Sequence, residues 1–292
     1  MNQRASSVGE LAVGVLAREA EGEVTRIFER SAYVKAGGEF MVLLWGGLPS
    51  PITINLGRAG AKRLRVGERC ALSPGGLAFD SWTIDVGGAQ VYNSALRERR
   101  DALEPPASSL VRGVSFLRAL YDASPSGLSL SSDVELRRFA LKTLSPLAAG
   151  RKDSVRSFDS YLGLIGRGGG FTPAGDDFVG GLLCTYNYIA RCNGSREILF
   201  PLRRIRPRTI PESAALLTYA SKGYVDEGVS SLVLKTLSGG SEFTDELLNV
   251  APRGHTSGLD MSLGILLVEA ALSDSAGGGR ALERCSEALW HR

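Results

Sequence analysis

Phe178-Val179-Gly180-Gly181-Leu182-Leu183-Cys184-Thr185-Tyr186-Asn187-Tyr188-Ile189 reads as a helix that is apolar almost all round. A helix without a polar face has to be enclosed by other helices. Met261 to Leu272 has the same character, so the chain predicts a helical bundle with two central members. Outward from these, Leu110 to Tyr121 carries apolar residues at helical spacing, and Ser132-Asp133-Val134-Glu135 is a capping-box start for a helix reaching about Leu144. Glu212 to Lys222, Val225 to Leu237 and Arg280 to Trp290 complete the helical set, with Asp226 and Glu227 as first-turn charges.

The first hundred residues follow another period. Glu23 to Phe28, Ala32 to Lys35, Glu39 to Trp45, Ile52 to Asn55 and Ser81 to Val86 are short and rich in β-branched and aromatic residues. Gly37-Gly38, Gly46-Gly47, Pro49-Ser50-Pro51, Pro74-Gly75-Gly76 and Gly87-Gly88 punctuate them as turns. That spacing predicts an antiparallel sheet closed into a small barrel or sandwich. The charged, proline-ended stretch Arg97 to Pro106 marks the boundary. The expected class is α+β, with a β-rich domain over 1–100 and a helical domain over 101–292.

Composition narrows the function classes. Of 292 residues, 43% are hydrophobic and 22% charged, as in a globular protein, and the net charge of +3 supplies no field for nucleic acid or an anionic membrane. Leu263 to Val268, among the longest apolar runs, is far short of the roughly 20 residues of a spanning helix. No charged start, apolar block and cleavage site open the chain, so a soluble cytoplasmic protein is expected. Cys70, Cys184, Cys192 and Cys285 show no CxxC spacing and read as reduced thiols.

Chemistry concentrates where glycine-rich segments run into the two apolar helices. The first segment is Gly166-Arg167-Gly168-Gly169-Gly170-Phe171-Thr172-Pro173-Ala174-Gly175-Asp176-Asp177. Glycines at this density cost folding entropy and make sense where backbone must bend sharply or approach a ligand. Free amides at a helix start form an anion site, and Thr172 before Pro173 is held extended. Asp176 and Asp177 would repel an anion unless they act by hydrogen bonding or through a bridging Mg²⁺. The plainer reading is a tight turn with one aspartate as helix cap.

The second segment is Gly254-His255-Thr256-Ser257-Gly258-Leu259-Asp260. Gly175 to Leu183 and Gly258 to Leu266 share the pattern G-x-D-x-x-x-G-[LI]-L, so aspartate and second glycine lie four apart on one helical face. Glycines there would let the helices cross closely, bringing Asp177 and Asp260 to one pocket. His255, one of two histidines, lies in a small-residue loop suited to proton transfer, whereas His291 is penultimate and reads as solvated. There is no HExxH, no GxSxG elbow and no P-loop lysine. Arg203 to Arg208 reads as a solvated connector, with Arg208 and Thr209 in reach of a substrate anion. Asn93 follows the last strand near the boundary, where clefts form.

GRGGGFTPAGDDF at Gly166 to Phe178, with GHTSGLD at Gly254 to Asp260, resembles the AllH-like family, a domain of unknown function marked by an LTPSGDD-type loop and a later GHSSG-D-type loop. This chain has Phe171, Ala174 and Thr256 where those motifs have leucine, serine and serine. The resemblance implies a subunit of an oxamate carbamoyltransferase of allantoin and purine-nitrogen catabolism. That enzyme moves a carbamoyl group between oxalurate and phosphate, giving oxamate and carbamoyl phosphate. It works with an acyl-CoA-synthetase-like subunit and one further companion, so partner subunits and a small anionic substrate are expected.

On that reading Gly168, Gly169, Gly170, Thr172, Gly175, Thr256, Ser257 and Gly258 hold a phosphate or oxo-acid, with Arg208, Thr209 and Asn93 as outer candidates. Asp176, Asp177 and Asp260 orient the substrate or a metal, and His255 supplies or accepts a proton. Two alternatives stay open: a self-sufficient Mg²⁺-dependent hydrolase, and a non-catalytic ligand-sensing or scaffold subunit.

Overall fold

Alternation in β2 (Glu21–Ile27) and β3 (Ser31–Ala36) turns Val24, Ala32, Val34 and Ala36 to one side, where all four are buried. In the computed structural model, which describes residues 2–18, 20–57, 64–97, 106–123, 134–149, 158–199, 201–238, 243–254, 256–277 and 279–290, the inward faces of such strands close on themselves. The further strands are β1 (Asn2–Gly9), β4 (Glu39–Trp45), β5 (Thr53–Leu56), β6 (Arg69–Ser73), β7 (Gly76–Ala78), β8 (Thr83–Asp85) and β9 (Gln90–Tyr92).

Their order β5-β4-β3-β2-β6-β7-β8-β1 is closed by pairing of β1 with β5, an eight-strand barrel with β9 added on β1. Most ladders are antiparallel; β4–β5, β1–β8 and β1–β9 run parallel. Met41, Leu43, Ile54, Leu72, Leu77 and Ile84 fill the interior. The helix Glu10–Leu16, between β1 and β2 in the chain, adds Ala12, Val15 and Leu16 to that core.

By contacts the chain divides into Met1–Ala95 with Val225–Glu227, and Leu96–Tyr224 with Gly228–Arg292. Residues 225–227 join the β unit through hydrogen bonds. Tyr92 Oη donates to the Val225 carbonyl (3.0 Å), and the Glu227 N–H donates to the Pro49 carbonyl (3.0 Å). That tie explains why the next helix spans Glu227–Leu237 rather than starting at Val225.

The larger unit contains Ala107–Ala123, Val134–Ala148, Ala174–Cys192, Leu202–Ile205, Pro211–Ser221, Glu227–Leu237, Thr244–Val250, Ser257–Gly277 and Ala281–Trp290. The Ser132-Asp133 part of the capping box and most of the 97–106 boundary lie outside the described residues. Ala174–Cys192 and Ser257–Gly277, the first and second core helices, are buried along most of their length and pack chiefly on each other.

Their crossing is reciprocal. A Cβ on Gly181 would overlap the Met261 carbonyl oxygen, and a Cβ on Gly264 would overlap that of Phe178. Gly181 and Gly264 are equivalent in the shared pattern, as are Phe178 and Met261, so each repeat presses its second glycine onto the other's backbone.

All four cysteines are free thiols. Glu269 on the second core helix is 1% exposed; Thr236 Oγ1 donates to its Oε1 (2.7 Å), and Oε2 makes no hydrogen bond among the described residues. Burial pushes this carboxyl up to about 8 from 4.5, against the Thr236 hydrogen bond.

A folded-state pKa above the unfolded one gives stability that is full below about 4.5 and is lost as pH rises to about 8. Glu269→Gln therefore melts higher than the parent at pH 8.5, by about 2–4 °C for each kcal/mol recovered, and gains nothing at pH 4. Calorimetric melts at the two pH values check this.

Candidate functional site

The first core helix begins at Ala174 and the second at Ser257, earlier than Phe178 and Met261, where the apolar stretches of the sequence begin. Gly175 and Gly258 therefore sit inside first turns rather than in loops. A Cβ at Gly175 would overlap the Leu164 carbonyl oxygen, and one at Gly258 would overlap that of Val250. Each glycine N–H donates to an arginine carbonyl upstream: Gly175 to Arg167 (2.9 Å) and Gly258 to Arg253 (3.0 Å). Residues that look like helix breakers are where each incoming loop is pressed onto its helix.

The helix start also reassigns the aspartates. Pro173, with φ −58° and ψ 140°, occupies the N-cap and makes no side-chain cap bond. Asp176 and Asp177 lie in the first turn, so neither caps the helix.

Asp176 is 1% exposed, and protein donors fill both its oxygens. The Gly166 N–H donates to Oδ1 (2.7 Å); Ser213 Oγ (2.6 Å) and Thr209 Oγ1 donate to Oδ2. Burial raises its pKa, and the Ser213, Thr209 and Gly166 bonds oppose that rise. Asp176 is thus the clamp that holds the start of the glycine loop against the chain ahead of the Pro211–Ser221 helix.

Asp177 faces the second loop. Thr172 Oγ1 donates to its Oδ2 (2.9 Å), and the same Thr172 oxygen lies 3.0 Å from Ser257 Oγ. Thr172 and Ser257 are half-buried while Asp177 is 8% exposed, so the two hydroxyl-bearing residues reach solvent more than the carboxyl does. Burial pushes the Asp177 carboxyl up to about 8; the Ser257 and Thr172 hydrogen bonds lower it, and the Asp260 and Asp176 charges raise it. A carboxyl titrating there carries its proton at neutral pH and can give it up, the property required of a general acid or base.

Asp260, its equivalent in the repeat, is 0% exposed and accepts a hydrogen bond from Tyr121 Oη (2.9 Å) on the Ala107–Ala123 helix. Burial, and then the Asp260 charge, keep the Tyr121 phenol well above its usual range, so it serves as donor. The repeat places two aspartates alike, and their surroundings separate them. Asp177 meets half-exposed hydroxyls of the loops, whereas Asp260 meets a buried phenol.

The remaining residues fall in different places. Gly166, Gly168 and Gly170 have φ of 81°, 91° and 104°, left-handed backbone suited to glycine. Among the described residues the N–H groups of Gly168, Gly169 and Gly170 make no hydrogen bond, and this stretch is exposed or half-buried. Thr256 is half-buried, its carbonyl accepting the Asp260 N–H (2.9 Å). Arg208 Nη1 donates to the Leu162 carbonyl (3.2 Å), and Thr209 bonds Asp176, which places both in the scaffold of the loop. Asn93 is exposed in the β unit. His255 lies outside the described residues.

Tyr121 and Ser213 carry no motif, and only the fold brings them to the aspartates. Glu269 had a visible signal, as the lone charge in the apolar run Leu263 to Leu272.

Both Asp176 oxygens are taken by N–H and O–H donors, one Asp260 oxygen takes a phenol, and among the described residues no group of three or more His, Cys, Asp or Glu is placed to hold a metal. The described residues do not fit a Mg²⁺ centre. Among them, too, no helix is long and apolar enough to cross a membrane.

The family model described as oxamate carbamoyltransferase subunit AllH matches residues 164–269, from just ahead of the glycine loop through both helix starts and the crossing. Comparisons with curated proteins and with solved structures give no match.

Proposed function

We propose that this chain is a subunit of a carbamoyltransferase-like complex, and that the Thr172–Asp177–Ser257 cluster, with the Gly168–Gly170 amides beside it, holds an oxyanion of the reaction. The observation that carries this reading is the 3.0 Å approach of Thr172 and Ser257 hydroxyls from separate loops over one carboxyl that burial keeps protonated at neutral pH. The glycine amides, which have no protein acceptor among the described residues, add donors along the same loop.

The chemistry follows from the charges. Oxamate and carbamoyl phosphate are anions; the amide nitrogen of oxamate attacks the carbamoyl carbon of carbamoyl phosphate, the bond from that carbon to the phosphate oxygen breaks, and oxalurate and phosphate result. Oriented amides and hydroxyls stabilise the charge that collects on the carbamoyl oxygen and the leaving phosphate. Asp177, protonated, gives the departing phosphate a hydrogen bond and its proton, and recovers a proton from the oxamate nitrogen as that nitrogen is carbamoylated; the reverse direction retraces the two transfers. Asp176 holds the loop in shape and Tyr121 orients Asp260. The family match over 164–269 supports the reaction class and the presence of partner subunits.

The test is phosphate release from carbamoyl phosphate plus oxamate by the chain assembled with its companion subunits. Turnover that declines as pH rises past about 8, where Asp177 loses its proton, is expected. An assembled complex with no turnover at pH 6.5–8.5 contradicts the reading.

A further inference from the structure

In the Thr172–Asp177–Ser257 cluster, donors and acceptors can be counted. Thr172 and Ser257 each own one hydroxyl hydrogen, and Asp177 owns one only when protonated. The heavy-atom spacings, 2.9 Å from Thr172 to Asp177 and 3.0 Å from Thr172 to Ser257, suit a hydrogen bond in either direction.

With Asp177 ionised, Thr172 donates to the carboxylate and Ser257 donates to Thr172, so both hydroxyl hydrogens point inward, because bonds to a charged acceptor are the stronger ones. The half-buried hydroxyl oxygens then show lone pairs outward, and an arriving anion meets those lone pairs and the carboxylate charge behind them. With Asp177 protonated, its O–H donates to Thr172, Thr172 donates to Ser257, and the Ser257 hydrogen is no longer claimed by a charge. The same three side chains, at unchanged distances, now offer a donor to the outside.

We infer that an oxyanion binds at these two loops together with one proton, which comes from solvent and rests on the Asp177 carboxyl while the Thr172 and Ser257 hydroxyls turn to serve the ligand. This rests on the oxyanion-site reading above.

Among the described residues, the titratable groups facing Asp177 are Asp176 on its own helix, Asp260 at the start of the second core helix and Tyr121 on the Ala107–Ala123 helix. The two carboxyls oppose a second negative charge in the cluster, and the phenol, held neutral, brings no positive charge to offset it. An unprotonated Asp177 beside a bound anion would face that opposition, with the Ser257 and Thr172 hydrogen bonds to offset it.

The experiment is titration calorimetry of the full chain with oxamate, which does not itself titrate between pH 6 and 9. Each pH is run in two buffers of different ionisation heat, so that the protons taken up per oxamate are read directly. Uptake is expected to rise from near zero at pH 6.5 to about one at pH 9, with affinity falling about tenfold per pH unit above the Asp177 titration. Asp177→Asn, which keeps an uncharged donor in place, is expected to bind oxamate with no uptake and no pH dependence. Ser257→Ala is expected to bind more weakly at pH 6.5 and, like the parent, to lose affinity as pH rises. Thermal melts confirm that both variants are folded.

Oxamate binding without uptake, or uptake that persists in Asp177→Asn, overturns the proton linkage and leaves the oxyanion site standing. A folded parent chain that binds no oxamate at pH 6.5 overturns the site itself.

Discussion

Gly181→Ala destabilises the protein by more than about 3 kcal/mol, at or beyond the upper end of ordinary overpacking, whereas Gly180→Ala one residue away is neutral or stabilising. Both replacements sit mid-helix on the first core helix, and alanine is the better helix former at both by roughly 1 kcal/mol. They differ only in what the new methyl meets. At Gly180 its nearest neighbour is the end of the Met261 side chain at 3.4 Å, which can move. At Gly181 it is the Met261 backbone carbonyl, which moves only if the second core helix moves.

Separating the helices would also loosen the contact of Gly264 with Phe178, because the two contacts are reciprocal. Gly264→Ala should therefore match Gly181→Ala, and the double variant should cost less than the sum, the first substitution having already opened the crossing. Chemical denaturation of the four variants measures all of this. Equal stabilities for Gly180→Ala and Gly181→Ala would show that the helices do not cross there.

The second large effect separates neighbouring aspartates by what each bonds. Asp177→Asn leaves the melting temperature close to that of the parent and lowers turnover of the assembled complex by about 10²–10⁴-fold, the range for loss of a proton-transfer group. The loss falls on kcat, since the amide fills the same space and can still donate to a bound anion. Asp176→Asn does the reverse. Its NH2 would face either the Gly166 N–H or the Thr209 and Ser213 hydroxyls, and taking the charged acceptor away from these buried donors costs about 1–3 kcal/mol. A lower melting temperature is the primary effect there, with activity recovering on cooling. Kinetics and melts run on both variants decide it: a large stability loss for Asp177→Asn with little change for Asp176→Asn would reverse the assignment.

The helical core was readable because Phe178 to Ile189 and Met261 to Leu272 have no polar face, and the repeated G-x-D-x-x-x-G spacing foretold a close crossing. The true helix starts were hidden, since Gly175 and Gly258 read as breakers by propensity and are helical because a carbonyl presses on each. In the barrel, β7 and β9 are three residues long, and β1 turns mainly small or polar residues along its outer part, so pairing partners rather than local pattern make them strands. Short helices such as Glu10–Leu16 and Thr244–Val250 are likewise set by tertiary context.

Within the site, Asp177, Thr172 and Ser257 could be nominated from the motifs, but the division of labour among the three aspartates could not. It depends on Ser213, Thr209 and Tyr121, which approach from other helices and loops.

In the proposed site one ligand is held by both helix starts at once. Amide hydrogen exchange with and without saturating oxamate at pH 6.5 addresses it directly. Slowed exchange is predicted at Gly168 to Gly170 and at Thr256 to Ser257, with the same oxamate dependence in the two segments. Protection confined to one of them, or appearing only elsewhere in the chain, would contradict it.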